Sequence, residues 1–151
     1  LCLLLPITTF GETMDDVKKR EGLYYTNFTN VPFTGNITGN EQGTIRNGKQ
    51  EGEWVTYYSD GQLEKKGTYK DGKPEGPSVG YHDNGQLEWK VNFKDGKEEG
   101  PWVYYRLING QLKMTKGSYK NGKKEGPWVR YHDNGQLEWK ETFKNGEIVD
   151  D

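Results

Sequence analysis

The sequence contains no alanine and few large aliphatic residues. Leu, Ile, Val and Phe together number 28 of 151 residues, below the share of about 20% that raises a suspicion of disorder. Disorder also requires a high net charge, whereas 21 basic residues nearly balance 23 acidic ones here. Because the chain lacks the best helix former and contains 21 glycines, helix bundles, coiled coils and Rossmann-type folds are disfavoured.

An excess of charge is also missing. The net charge is −2 and the isoelectric point is about 5.8, so the chain has no overall basic character that would attract nucleic acid. The same balance argues against membrane binding by bulk charge, although it is compatible with a local basic face. The single cysteine, Cys2, excludes an intrachain disulfide and a cysteine-based zinc site. No cofactor is expected, since no glycine-rich phosphate-binding motif follows the required strand-to-helix pattern.

Residues 1–11 are apolar, unlike the polar segment that follows them. They are typical of the end of a signal-peptide hydrophobic region, with Thr9 and Gly11 as the small residues before a cleavage site. This interpretation makes residues 1–15 a leader and predicts export to the periplasm or the outside of a bacterial cell. The alternative is an N-terminal strand or buried arm in a cytoplasmic protein. Eleven residues are too few to span a bilayer, which needs roughly 20.

The rest of the chain repeats itself. Four units cover residues 47–70, 71–94, 95–120 and 121–144, and a partial fifth begins at Asn145. We interpret residues 16–46 as an N-terminal capping segment with a degenerate hairpin, because the terminal units of repeat arrays are atypical.

Each unit carries two turn signals of the type Asn-Gly or Asp-Gly. Glycine supplies the positive φ that tight hairpin turns require. The turn glycines are Gly61, Gly72, Gly85, Gly96, Gly110, Gly122, Gly135 and Gly146. Between them lie segments of about six residues rich in Val, Tyr, Trp, Phe and Thr, as expected for strands. The sequence therefore predicts an all-β meander of repeated β-hairpins.

Apolar residues recur at every second position of the predicted strands, which places each set on one face of the sheet. The first strands carry Val, followed two residues later by Tyr: Val55 and Tyr57, Val79 and Tyr81, Val103 and Tyr105, Val129 and Tyr131. The second strands begin with Leu and close with an aromatic residue: Leu63 and Tyr69, Leu87 and Phe93, Leu112 and Tyr119, Leu137 and Phe143. We interpret these positions as the structural core of the repeats.

The register of the hairpins decides whether these sets share a face, since a one-residue slip turns every side chain over. We predict a three-residue loop such as Asp83-Asn84-Gly85, a type I turn with Gly in a left-handed bulge position. This loop places Tyr81 opposite Leu87 and Val79 opposite Trp89. Aromatic residues of the first strands then become candidates for partner contact. The predicted partner-binding surface consists of Trp54, Trp102, Trp128, Tyr58 and Tyr104.

The repeated unit, NGKxxGxWxxYYxNGQLxxxxxYK, resembles the MORN repeat variant found in bacterial proteins related to the YwqK-type antitoxin family. The resemblance covers about residues 21–148. It implies an elongated, single-layer antiparallel sheet and a binding or scaffolding role, with neutralisation of a toxin as one form of that binding. Ser78 replaces Trp in the second unit and the third unit carries two inserted residues, so any binding surface is irregular there.

Two His-Asp pairs, beginning at His82 and His132, lie in the predicted hairpin turns, where Asp serves turn geometry and not acid–base catalysis. We therefore expect a non-catalytic protein-binding module, with a toxin among its possible partners and no nucleic-acid partner. A membrane-surface array or a structural scaffold is the alternative, supported by the lysine-rich strand faces. An exposed edge strand at Ile148 and Val149 would permit self-association.

Overall fold

The computed structural model describes residues 11–108 and 110–149. Residues 1–10 of the expected leader therefore lie outside the described residues. A short 3-10 helix, Met14–Asp16, precedes fifteen strands. These are β1 (Val17–Arg20), β2 (Leu23–Thr26), β3 (Gly35–Ile37), β4 (Glu41–Arg46), β5 (Lys49–Tyr57), β6 (Leu63–Lys70), β7 (Lys73–Pro74), β8 (Gly76–Tyr81), β9 (Leu87–Lys94), β10 (Lys97–Glu98), β11 (Gly100–Ile108), β12 (Gln111–Lys120), β13 (Lys123–Tyr131), β14 (Leu137–Lys144) and β15 (Glu147–Val149).

The strands from β3 to β15 form one antiparallel sheet whose order follows the chain, except that β8 pairs with β6 and β11 pairs with β9. The short strands β7 and β10 pair with β6 and β9, and β1 and β2 form a separate hairpin. The predicted all-β meander of hairpins is confirmed. No helix among the described residues is long and apolar enough to cross a membrane.

The turns between repeat units are two-residue turns in which both residues have positive φ, for example Asp71 at 52° and Gly72 at 78°. Each turn is tied to the preceding unit, because the backbone N–H of Asp71 donates to the Glu51 carboxylate at 2.9 Å. The same bond recurs at 2.8 Å in the next three turns, in which Glu75, Glu99 and Glu125 accept from Asp95, Asn121 and Asn145. The repeated glutamate therefore links successive units along one edge of the sheet.

The turns inside the units adopt the predicted three-residue loop. In the second unit the His82 N–H donates to the Gln86 carbonyl at 2.8 Å, and the Gly85 N–H donates to the His82 carbonyl at 2.9 Å. Gly85 has a φ of 78°, as the left-handed bulge position requires. Equivalent bonds close the loops that contain Gly61 and Gly135, so the prediction of this turn is confirmed in three units.

One extra residue follows each of these loops, so the strand pairing beyond the loop differs from the predicted register. Tyr81 pairs with Leu87 as expected, but the next pair is Gly80 with Trp89, and Val79 then pairs with Lys90. The prediction of Val79 opposite Trp89 is therefore wrong, because a β-bulge at this point shifts the pairing by one residue. The same shift follows Tyr57 and Tyr131 in the first and fourth units.

The inserted residues of the third unit lengthen its hairpin and remove the bulge. Strands β11 and β12 pair without interruption from Gly100 and Tyr119 to Ile108 and Gln111. The added pairs carry Leu107 to the tip of the hairpin, where 64% of its surface is exposed. The insertion therefore extends one hairpin and leaves the order of strands in the sheet unchanged.

The N-terminal segment packs onto the first repeat. Val17, Ile37, Ile45 and Trp54 are buried together in one cluster. Partly buried side chains close around it: Met14, Tyr24, Phe33 and Tyr69. This cluster covers one end of the sheet face that carries Trp54.

Candidate functional site

The tryptophans of the first strands lie on a packed face of the sheet, which we call the aromatic face. Trp54 and Trp128 retain only 5% and 2% of their exposure. The prediction that these two side chains are accessible to a partner is therefore wrong. The bulge explains the error, because it places Trp54 opposite Gly67 and next to the Gly52–Tyr69 pair, not opposite the polar positions of β6.

Glycine on the preceding strand makes room for each buried indole. The Trp54 ring lies over Gly43 and the Trp128 ring lies over Gly117, so closely that a Cβ atom at either glycine would overlap the ring. Trp128 also packs edge-on against Tyr119, with ring centroids 5.1 Å apart, and against Phe143 at 6.1 Å. These contacts make Trp128 a core residue.

Trp102 differs because Val91, not glycine, occupies the neighbouring position on β9. Trp102 remains half-buried and stacks on Tyr104, with ring centroids 5.7 Å apart. It also contacts Trp128 in a tilted arrangement, with ring centroids 5.0 Å apart. Tyr58, the remaining member of the predicted surface, donates its hydroxyl to the Tyr81 carbonyl at 2.7 Å. The five predicted partner residues therefore do not form one accessible patch.

The second unit has the glycine without the indole, since Ser78 faces Gly67. A small cavity of about 40 Å³ lies there, between Trp54, Gly67 and Ser78. We expect Ser78→Trp to raise the thermal unfolding midpoint, because the new indole would bury apolar surface worth about 1.5–3 kcal/mol over this glycine. Ser78→Ala is the control for the lost hydroxyl, and a lower midpoint for Ser78→Trp than for Ser78→Ala would contradict the packing scheme.

The opposite face carries a continuous row of alternating valines and lysines. Directly paired residues of neighbouring strands project from the same face, and the pairings connect Val79 to Lys66 and Lys90, and Val103 to Lys90 and Lys116. The complete Val–Lys row is Val55, Lys66, Val79, Lys90, Val103, Lys116, Val129 and Lys140. The valines and the closing aromatics of the repeats, predicted to share a face, therefore lie on opposite faces.

A groove of about 780 Å³ lies on this second face, across units two to four. Its lining is mainly apolar and includes the proline that precedes the tryptophan position of each unit: Pro77, Pro101 and Pro127. The other residues that define it here are Val103, Val129, Tyr131, Lys90 and Lys116. We call this surface the Pro–Val groove, and Lys140 continues its Val–Lys row on β14.

Among the described residues, the lysines of the groove have no acidic partner. In the first unit Glu53 stands at the position of the prolines and forms an ion pair with Lys66 at 2.8 Å, which raises the pKa of Lys66. Over the part of the chain that the structure describes, no carboxylate lies within ion-pair distance of Lys90, Lys116 or Lys140. The groove therefore combines an apolar floor with unneutralised positive charge.

An ion pair between the buried Lys113 and the exposed Glu138 lies at the hairpin end of units three and four. Lys113 Nζ lies 3.0 Å from Glu138 Oε1 and donates to His132 Nδ1 at 2.9 Å. The other histidine, His82, donates from Nε2 to the Tyr105 carbonyl at 3.2 Å. These contacts hold neighbouring units together, and neither histidine bonds to the aspartate that follows it in sequence.

The hydrogen bond and charge of Lys113 lower the pKa of Glu138 below its ordinary value of 4.5. A carboxyl group with a lowered folded-state pKa stabilises the fold above its unfolded-state pKa, and this stabilisation is lost as the pH falls through the folded-state pKa. We therefore expect acidification below about pH 4.5 to reduce the unfolding free energy more in the wild type than in Glu138→Gln. Urea denaturation across this range measures the difference, and parallel curves would contradict the ion pair's role.

Within the described ranges, no group of three or more His, Cys, Asp and Glu side chains is arranged to hold a metal ion. The family model of the MORN repeat variant matches residues 50–71, 74–95 and 124–145. The third unit, whose own hairpin pairs without a bulge, lies between the second and third matches. A comparison with curated proteins finds no match for the chain. MORN repeats commonly mediate protein or membrane interactions and are generally non-enzymatic.

Proposed function

We propose that the chain is a non-catalytic protein-binding module and that the Pro–Val groove is its binding site. The observation that supports this most strongly is an open groove of about 780 Å³ with apolar lining on one face, while the other face is filled by its own aromatic side chains. Contiguous accessible apolar surface on a protein commonly marks an interaction site. The groove crosses three repeats, which suits an extended ligand better than a compact one.

Neutralisation of a toxin is one form that this binding would take. Its support is the resemblance of the repeats to those of an antitoxin family. In that case the toxin would occupy the Pro–Val groove, and the same groove substitutions would abolish both binding and neutralisation.

Binding to an anionic membrane surface is the second candidate, and the unneutralised lysines favour it. The recessed valines argue for a protein instead, because a flat lipid surface would contact the rim of the groove and leave its floor empty. Flotation of the chain with vesicles that contain anionic lipid distinguishes the two candidates.

The test compares Val103→Glu in the groove with Leu107→Glu at the exposed hairpin tip, using each variant as bait in a cell extract. We expect proteins retained by the wild type and by Leu107→Glu to be lost with Val103→Glu, because the new carboxylate would occupy the apolar floor. Circular dichroism checks that both variants remain folded. Equal retention by both variants, or binding to vesicles alone, would contradict the proposal.

A further inference from the structure

We infer that the Pro–Val groove takes an extended acidic polypeptide in the polyproline II conformation, with a carboxylate at every third residue. This inference rests on the proposed function, that the groove binds a protein. It adds the chemistry and the spacing of the bound segment.

The lysines repeat with a spacing set by the sheet. Lys90, Lys116 and Lys140 lie on β9, β12 and β14, and one valine-bearing strand separates each lysine from the next. Neighbouring strands are about 4.8 Å apart, so successive lysines in the row are about 9.6 Å apart.

Polyproline II matches this spacing closely. It has three residues per turn and a rise of about 3.1 Å per residue, so every third side chain returns to the same side after about 9.3 Å. An extended β-strand instead turns its third residue to the opposite side. An α-helix returns a side chain to the same side after seven residues, or about 10.5 Å, which departs further from the lysine spacing with every step.

The floor of the groove suits the remaining residues of such a ligand. Val103 and Val129 lie between the lysines of the row, and Pro101 and Tyr131 line the groove beside them. Aromatic-lined grooves are a recurring site for polyproline II segments, because the ligand loses little conformational entropy on binding. Apolar residues between the carboxylates would therefore pack against the valines and prolines.

The distribution of charge on this surface indicates that the ligand is acidic and shows where the basic site begins along the sheet. The Val–Lys row contains three lysines and no carboxylate in units two to four, and the row beside it includes Pro77, Asn92, Pro101, Ser118, Pro127 and Thr142. Glu125 pairs with Ser118, but its carboxylate accepts a hydrogen bond from the Asn145 backbone N–H at the turn. In the first unit Glu53 replaces the proline and pairs with Lys66. The basic site therefore begins at the second unit. Sheet twist rotates each strand relative to the next, and the flexible lysine side chains can compensate for this rotation when they contact the ligand.

The first experiment compares labelled peptides of identical composition by fluorescence anisotropy. One peptide repeats Glu-Pro-Pro four times, and its control carries the same four glutamates in one block. We expect the periodic peptide to bind about tenfold more tightly, since only its carboxylates can reach three lysines at once and each exposed pair contributes modestly. Equal affinities would overturn the assigned period.

The second experiment locates the site with two charge-reversal variants. The first variant combines Lys90→Glu, Lys116→Glu and Lys140→Glu, and we expect it to lose binding of the periodic peptide. The control variant combines Lys73→Glu, Lys97→Glu and Lys123→Glu. It reverses the same number of positive charges at the exposed turn edge, and we expect it to retain binding. Equal loss in both variants would show attraction by general charge and would overturn the inference.

The experiments distinguish failure of the protein-binding proposal from failure of the acidic polyproline II ligand. If Val103→Glu releases captured proteins but neither peptide binds the wild type, the groove is a protein-binding site and its assigned ligand chemistry is wrong. If Val103→Glu releases nothing and no peptide binds, both proposals are wrong.

Discussion

Replacing Trp128 by alanine is expected to lower the free energy of unfolding by about 3–5 kcal/mol, the usual cost of removing a buried tryptophan. Trp128 is 2% exposed and packs over Gly117 and against Tyr119 and Phe143. Its indole N–H also donates to the Ser118 carbonyl at 3.2 Å. Such a loss is a large part of the total stability of a typical domain, which is about 5–15 kcal/mol.

Urea denaturation followed by tryptophan fluorescence and circular dichroism measures this loss. Trp102→Ala is the matched control, because Trp102 occupies the same position one unit earlier but is only half-buried. We expect its cost to be clearly smaller. A cost below about 1 kcal/mol for Trp128→Ala would be typical of a surface residue and would contradict the assignment of the aromatic face as core.

Introducing valine at Gly117 is the second substitution with a large expected effect. A Cβ atom at Gly117 would overlap the Trp128 ring, which lies directly over it. We expect Gly117→Val to cost at least about 1–3 kcal/mol, since overpacking forces the surrounding side chains and backbone to shift. The indole cannot move away easily, because aromatic rings surround it.

Gly67→Val is the matched control for this substitution. Gly67 occupies the equivalent position on β6, but a Cβ atom there would meet the Oγ of Ser78, which can rotate away at the cost of its hydrogen bond to the Lys66 carbonyl. Valine is also more favourable than glycine in a β-strand, and the second unit carries Val91 at the position equivalent to Gly67. We therefore expect Gly67→Val to be neutral or stabilising. In a Trp128→Ala background the cost of Gly117→Val should largely disappear, and an unchanged cost would rule out the glycine–indole contact as its cause.

The local structure could be predicted from the sequence because the turns dominate it. Residues such as Asp71-Gly72 and Gly85 adopt the positive φ that their dipeptides predict. The strands follow from the aromatic and β-branched segments between the turns. Pairing at the loop was also predictable, since Tyr81 lies opposite Leu87.

Which residues share a face of the sheet could not be predicted, because a single bulge residue shifts the strand pairing by one position. Glu88 follows Leu87 as an ordinary strand residue in the sequence, and nothing in its side chain indicates a bulge. Because of the bulge, Trp89 pairs with Gly80 and not with Val79, and Val79 pairs with Lys90. Every later side chain of the hairpin then changes its partners.

The candidate site was missed for the same reason. Its signals are present in the sequence, since proline follows glycine at Pro77, Pro101 and Pro127 and lysine recurs at the same position of each second strand. Only the corrected register shows that these residues share a face. The large aromatic residues of the first strands lie on the other face, where Gly43 and Gly117 leave room for the indoles.

Lysine footprinting tests the central claim, that the Pro–Val groove binds and the aromatic face supports the fold. The chain is chemically methylated with and without a captured partner or the periodic acidic peptide, and mass spectrometry measures the modification of each lysine. We predict strong protection of Lys90, Lys116 and Lys140, and unchanged modification at Lys73, Lys97 and Lys123. Equal protection of both sets, or protection of the turn-edge lysines alone, would contradict the assignment of the groove as the binding site.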